Sequence, residues 1–181
     1  MRDFDWELLK YKNTIGCNDA YRLGADRISV LHFGDARWYS VHQDDLKRYN
    51  GIVTTSLELL RQDPRILYLP RRKDGLAEAD DGELAWNGNT GISAVNLALL
   101  FGAMRIYLLG FDLKLGGDGE GNWYINRIHK PNAGVYDRFR EGWEVVAEEL
   151  PVKYPGVEII NLNPDSELDL FRRMTWEAAH G

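Results

Sequence analysis

Apolar and polar positions alternate along this chain in short blocks. A small polar loop, Asn87-Gly88-Asn89-Thr90-Gly91, precedes a mainly apolar run at 92–101. After a break at Gly102 a shorter apolar run, 105–109, ends in Gly110-Phe111-Asp112. The first run has the length of a helix and the second that of a strand. Further strands are expected at 14–17, 28–33, 52–55, 65–69 and 157–162. Trp6 to Tyr11 reads as the end of a helix. Residues 36–49 read as a helix with Trp38, Val41, Asp45 and Leu46 at near-helical spacing, although Asp45 spoils the stripe. A short helix is expected at 57–61. The segment 135–150 places Val135, Phe139, Trp143, Val146 and Leu150 on one face, the pattern of an amphipathic helix, and Pro151 and Pro155 bracket its end. A last short helix is expected at 166–174, N-capped near Asp165.

Strands that alternate with helices imply parallel pairing and right-handed crossovers. The expected fold is therefore α/β: a three-layer, Rossmann-like sandwich with a mainly parallel sheet, formed as a single domain over residues 1–181. The apolar strand at 106–109 suits a central position, buried on both faces. Two polar stretches, 71–88 and 114–132, read as loops too long for simple connectors.

Composition narrows the picture. Hydrophobic residues make up 44% and charged residues 28%, ordinary for a globular chain. The formal net charge of −6 argues against a general nucleic-acid-coating surface. No apolar run reaches the roughly 18 residues of a membrane span, and no signal-peptide core follows Met1. The single cysteine, Cys17, leaves no internal disulfide. A cytoplasmic setting, or the host cytoplasm for a phage-encoded protein, is the expectation.

Chemistry is expected where strands end. Asn18 and Asp19 follow the first strand, Asp35 the second, and Asp112 the strand at 105–109. Open α/β sheets bind ligands at such carboxyl ends. The loop carrying Asn87, Asn89, Thr90 and Gly91 opens a helix, where free backbone N–H groups favour anions. Each residue also has a plainer reading: Asn89 or Thr90 as a helix cap, Asp35 as the cap of the next helix, and Asn96 as a buried structural amide. Arg37 and the aromatics Trp38 and Tyr39 offer phosphate and base contacts, or join the core. His129, in the second long loop, titrates near neutrality and suits general acid–base work. No histidine or cysteine spacing indicates a metal site. Walker, Gly-x-Gly-x-x-Gly and Gly-x-Ser-x-Gly motifs are missing.

The order Asn18-Asp19-Ala20, Phe33-Gly34-Asp35-Ala36-Arg37-Trp38, Gly88-Asn89-Thr90-Gly91, Asn96-Leu97-Ala98 and Leu108-Leu109-Gly110-Phe111-Asp112 resembles a group of phage and prophage Rossmann-like proteins of unknown function. That group is distantly similar to the motility accessory factor and 6-hydroxymethylpterin pyrophosphokinase-like proteins, and to metal-independent bacterial sialyltransferases. The resemblance implies that Asn18 and the Asn89-Thr90-Gly91 loop touch a nucleotide, that Asp112 borders the site, and that His129 is the base. Members of the group usually begin with an apolar strand and a Gly-x-Gly-Pro-Ser-Leu turn ahead of a helix like that at 4–10. Met1 falls where that turn should end. The resemblance thus implies either an upstream start or a shortened, inactive variant whose sheet has an open slot or two new edges.

These readings converge on a nucleotide- or nucleotide-sugar-dependent transferase, glycosyl transfer being favoured. Nucleotide enters as substrate rather than as a tightly bound cofactor, and no metal is required. The alternatives are a pyrophosphokinase-like enzyme holding Mg²⁺ on Asp112 or Asp35, and a non-catalytic nucleotide-binding or interaction protein. Homo-oligomerisation is a further expectation for a chain with open sheet edges.

Overall fold

The computed structural model describes residues 4–72, 74–114 and 134–180. The second long loop of the sequence, with His129, lies outside the described residues. The fold is α/β, and every strand pairing among the described residues is parallel. One sheet runs in the order β1 (Ile15–Cys17), β2 (Val30–Phe33), β3 (Ile52–Thr55), β4 (Ile66–Tyr68). A second joins β5 (Arg71–Arg72) to β6 (Leu84–Ala85). The third runs β7 (Arg105–Leu108), β8 (Glu158–Asn161), β9 (Arg172–Arg173).

Helix α1 (Ala36–Leu46) follows β2, α2 (Thr90–Leu100) precedes β7, and α3 (Gly134–Lys153) joins β7 to β8. A short α4 (Trp176–His180) closes the described chain. Helix α2 is buried along nearly its whole length, as a helix apolar on every side must be. It touches β1, β2 and β6 as well as α3. The main core packs Ile92, Val95 and Leu99 of α2 with Trp143, Val146 and Leu150 of α3 and with Ile106, Leu108 and Ile159. A second core packs Leu31, Phe33 and Val53 against Trp38 and Leu46 of α1.

Several expectations need correction. The segment 71–88 is not only loop: β5 and β6 pair within it. Helix α3 continues through Pro151 to Lys153. Its last turn is held by the Lys153–Glu149 ion pair at 2.8 Å and by the Tyr154 amide donating to the Leu150 carbonyl. Residues 166–174 form no helix. Ser166 Oγ donates instead to the Phe111 carbonyl and accepts from the Leu168 amide, and the chain extends into β9. Short hydroxyl and carboxamide side chains that bond nearby backbone compete with helix in this way. Asp165 therefore caps nothing; its amide donates to Asn163 Oδ1. The N-terminal helix is a single 3-10 turn, Trp6–Leu9, and a second 3-10 turn, Glu58–Leu60, stands in the expected helix at 57–61. Helix α1 stops at Leu46, short of Tyr49.

Among the described residues strand β7 pairs with β8 alone and stands at the end of its sheet, not at a centre. Residues of β7 and of β1, the end strand of the first sheet, line a cavity of about 1300 Å³.

The carboxyl half of β2 carries a buried histidine. Thr54 Oγ1 donates to the Leu31 carbonyl at 3.1 Å, so His32 Nδ1–H is the donor in its 3.0 Å bond to that hydroxyl. Nε2 is then the bare nitrogen, buried with no partner among the described residues. Histidine in an unfolded chain takes up its proton near pH 6.5, whereas burial, with Arg71 nearby, pushes His32 down to about 3. Between these values the unfolded state binds the extra proton, so stability falls as pH falls. Below pH 6 the native protein should lose up to about 1.4 kcal/mol per pH unit from this group, and His32→Phe should lack that component. Urea unfolding at intervals from pH 7 to 5 measures it; equal slopes in the two proteins would remove His32 from the pH dependence.

Candidate functional site

The carboxyl end of β1 passes directly into Asn18, which adopts a left-handed conformation with φ 52°. Asparagine tolerates that region better than most residues. Its Oδ1 is buried without a partner among the described residues. Beyond β2, Asp35 N-caps α1, its side chain accepting from the Trp38 amide at 2.8 Å. Beyond β7, Asp112 accepts from Asn163 Nδ2 at 2.5 Å, and its carbonyl accepts from the Glu167 amide. Helix α2 points its N-terminus at the same region. Asn89 is its N-cap and accepts from the Gly91 amide at 2.7 Å.

Asn18, Asp35, Asn89, Thr90, Gly91 and Asp112 all line the large cavity between β1 and β7. Lys114 and Arg138 bring positive charge to its wall, and Trp86 and Tyr136 add aromatic surface. Burial, with the Asp112 carboxylate second, raises the Tyr136 hydroxyl above its ordinary value, so it stays a neutral donor.

Backbone strain gathers here as well. Four non-glycine described residues have positive φ: Tyr11, Asn18, Asn87 and Leu113. All four stand at this cavity or one residue from its wall. For a bulky residue such as Leu113, at φ 53°, the left-handed region costs roughly 1–2 kcal/mol, and residues so held cluster at ligand sites.

Other sequence candidates serve the fold. Asp19 is buried and occupied, accepting from Trp38 Nε1 at 2.9 Å and Arg22 Nε at 2.7 Å. Asn87 bonds the Gly75 backbone through both side-chain atoms and does not reach the cavity wall. Trp38 and His42 stack and are buried in the core, and Trp38 also lines the cavity. Asp45, the flaw in the α1 stripe, accepts from the Tyr21 hydroxyl at 2.7 Å. Gly91 is set by packing: a Cβ there would stand 2.4 Å from the Phe111 ring. Cys17 donates to the Thr90 carbonyl at 3.7 Å, and burial pushes its thiol up to about 12, which keeps it protonated. Among the described residues no three carboxylate, histidine or cysteine side chains gather as a metal ligand set.

The sequence reading missed Asn163, Tyr136, Arg138 and Arg71. Asn163 lies just past β8, where the strand-end rule already used for Asp112 would have found it. Arg71 stacks over Trp86 at 4.1 Å and donates to the Gly34 carbonyl and Ser56 Oγ behind Asp35. Arg71 and Arg138 had no local signal, because their strand and helix approach the site only in three dimensions.

No family model matches the chain, and neither a curated protein nor a solved structure matches it. Among the described residues no helix is long and apolar enough to cross a membrane.

Asn96 is the buried amide of α2, fully covered. Its Oδ1 accepts from the Ala85 amide at 2.8 Å and the Ala77 amide at 3.4 Å, and its Nδ2 donates to the Ala77 carbonyl at 2.9 Å. It fastens β6 and the preceding loop to α2. Asn96→Ala leaves the buried Ala77 and Ala85 amides without this partner, while the Ala77 carbonyl keeps the Tyr154 hydroxyl, and should destabilise the protein by about 2–4 kcal/mol. Urea unfolding tests this, and a loss below 1 kcal/mol would show that the loop finds other partners.

Proposed function

We propose that the protein is a nucleotide- or nucleotide-sugar-dependent transferase, with glycosyl transfer as its reaction. The observation that carries this reading is the gathering of Asn18, Asp35, Asn89, Thr90 and Asp112 at one cavity mouth, beside the N-terminus of α2. Helix N-terminal amides suit a nucleotide phosphate, and Lys114 and Arg138 add to the attraction. The unpartnered Asn18 Oδ1 is suited to accept from a base or sugar donor.

In this reading a base, His129, removes the acceptor hydroxyl proton. The acceptor oxygen bonds the anomeric carbon, and the bond from that carbon to the phosphate oxygen breaks. The electron pair leaves with the nucleotide phosphate, where the α2 amides stabilise it. Asp112, held by Asn163, orients the acceptor or its sugar hydroxyls.

Metal-free CMP or UDP, at one hundred times its Kd, should stabilise the protein by about 2.7 kcal/mol, which raises Tm by about 5–11 °C for a domain of this size. Thr90→Val and Asp112→Asn should each reduce that shift. A shift by ATP only with Mg²⁺ would move the assignment to pyrophosphoryl transfer. No shift with any nucleotide, with or without Mg²⁺, would overturn the reading.

Once donor and acceptor are found, His129→Ala should lower turnover by roughly 10²–10⁴ while leaving nucleotide affinity unchanged. Near-normal turnover would exclude His129 as the base.

A further inference from the structure

Gly34 follows β2, and its backbone does not require glycine, because its φ lies outside the left-handed region. Its missing side chain leaves a small space with a polar lining. Beyond the chain neighbours, a Cβ built there would have as its three nearest atoms Arg71 Nη2 at 3.2 Å, Thr90 Oγ1 at 3.8 Å and Ser56 Oγ at 3.9 Å. None is carbon, and none is a carboxylate oxygen. Separate parts of the chain bring these groups together. Gly34 and Ser56 stand just past the paired residues Phe33 and Thr55 of β2 and β3. Arg71 opens β5, and Thr90 opens α2.

The hydrogen bonds around this space leave donors over. Arg71 Nε donates to Ser56 Oγ at 3.2 Å, and Nη2 donates to the Gly34 carbonyl at 2.9 Å. Nη1 has no acceptor among the described residues, and no carboxylate there pairs with the guanidinium. Ser56 is only 6% exposed. Its oxygen accepts from Arg71, and its own proton has no acceptor among the described residues. The Thr90 hydroxyl likewise makes no hydrogen bond among them. Thr90 stands in the first turn of α2, where the helix dipole is positive. The Asp35 carboxylate, next in the chain to Gly34, accepts from the Trp38 amide of α1. Arg71 is partly buried against Trp86, and burial draws its pKa below the ordinary value. Arginine stays charged even so. A desolvated cation without a counter-charge is costly, and a buried hydroxyl without an acceptor is uncommon. One anion would answer both.

We propose that Gly34, Ser56, Arg71 and Thr90 form the seat of a phosphate group. A phosphate oxygen enters the space that a Cβ would fill. The Arg71 guanidinium and the Ser56 and Thr90 hydroxyls are the donors. Phosphate has several acceptor oxygens, which suits donors that come from a helix and from strand ends, and it carries the charge that Arg71 lacks. Gly34 and Thr90 also line the large cavity, so the rest of the ligand lies there. The seat deepens the nucleotide reading and rests on it for the identity of that ligand: the phosphate is the one the nucleotide carries.

The test is calorimetric titration at low salt of the native protein, Gly34→Ala and Arg71→Gln. The probes are inorganic phosphate, CMP, UDP, cytidine and uridine. The Gly34 backbone accepts alanine, and only the flexible end of Arg71 has to give way. Circular dichroism and thermal melting check each fold, and Arg71→Gln decides by the same criteria where Gly34→Ala does not fold. Inorganic phosphate, and whichever nucleotide binds the native protein, should bind roughly tenfold or more weakly in both variants. Cytidine and uridine should be unaffected. Equal affinity of native protein and folded Gly34→Ala for every phosphate-bearing probe would overturn the seat, and the nucleotide reading would stand if a nucleotide is among them. An equal loss for the nucleosides would make the change one of cavity shape and overturn the seat. Phosphate binding that Gly34→Ala weakens, with no binding of either nucleotide, would keep the seat and sink the nucleotide reading. No binding of any phosphate-bearing probe to the native protein would overturn both.

Discussion

Helix α2 has to be buried on every side, and the rest of the fold is arranged around that requirement. Its residues from Gly91 to Leu97 are all buried, so no face is available to water. Burial of Ile92, Val95, Leu97 and Leu99 is worth about 1.5–3 kcal/mol each. The helix meets the condition by lying against β1, β2 and β6 on one hand and α3 on the other. The two larger sheets share no hydrogen-bonded strand pair among the described residues. It is α2 that touches the first sheet and also contributes Ile92, Val95 and Leu99 to the core packed on β7 and β8.

Burying so much chain creates polar obligations, and they explain residues that look out of place. Asn96 inside α2 bonds the backbone at Ala77 and Ala85. Asp45 within the α1 stripe bonds Tyr21. Asp19 holds Trp38 and Arg22. These side chains satisfy groups that water would otherwise have served, and they tie α1 and α2 to the loops beside them. At the cavity Asn18 is set apart, because its Oδ1 has no such partner among the described residues.

The N-terminus of α2 faces the cavity beside the ends of β1 and β7, and Ala94, Val95 and Ala98 line the same cavity. Strain at Asn18 and Leu113 marks the two strand ends where these features meet.

Much of the fold could be read in the residues. The strands at 52–55 and 105–109, the buried helix behind the Asn-Gly-Asn-Thr-Gly loop and the parallel pairing follow from local apolar periodicity, which fixes which face of an element must leave water. The strand-end rule likewise selected Asn18, Asp35 and Asp112, because a parallel sheet collects all its carboxyl ends on one edge. Other features required tertiary structure. Residues 166–174 depart from helix because Ser166 meets the Phe111 carbonyl, far away in sequence. Asp19 and Asn87 are structural because Trp38 and Gly75 stand beside them. Asn163, Arg71 and Arg138 reach the site through pairing and helix packing. Local sequence determines what a residue needs, a partner or a dry surface; only the assembled chain decides which neighbour supplies it, and so which polar groups remain for a ligand.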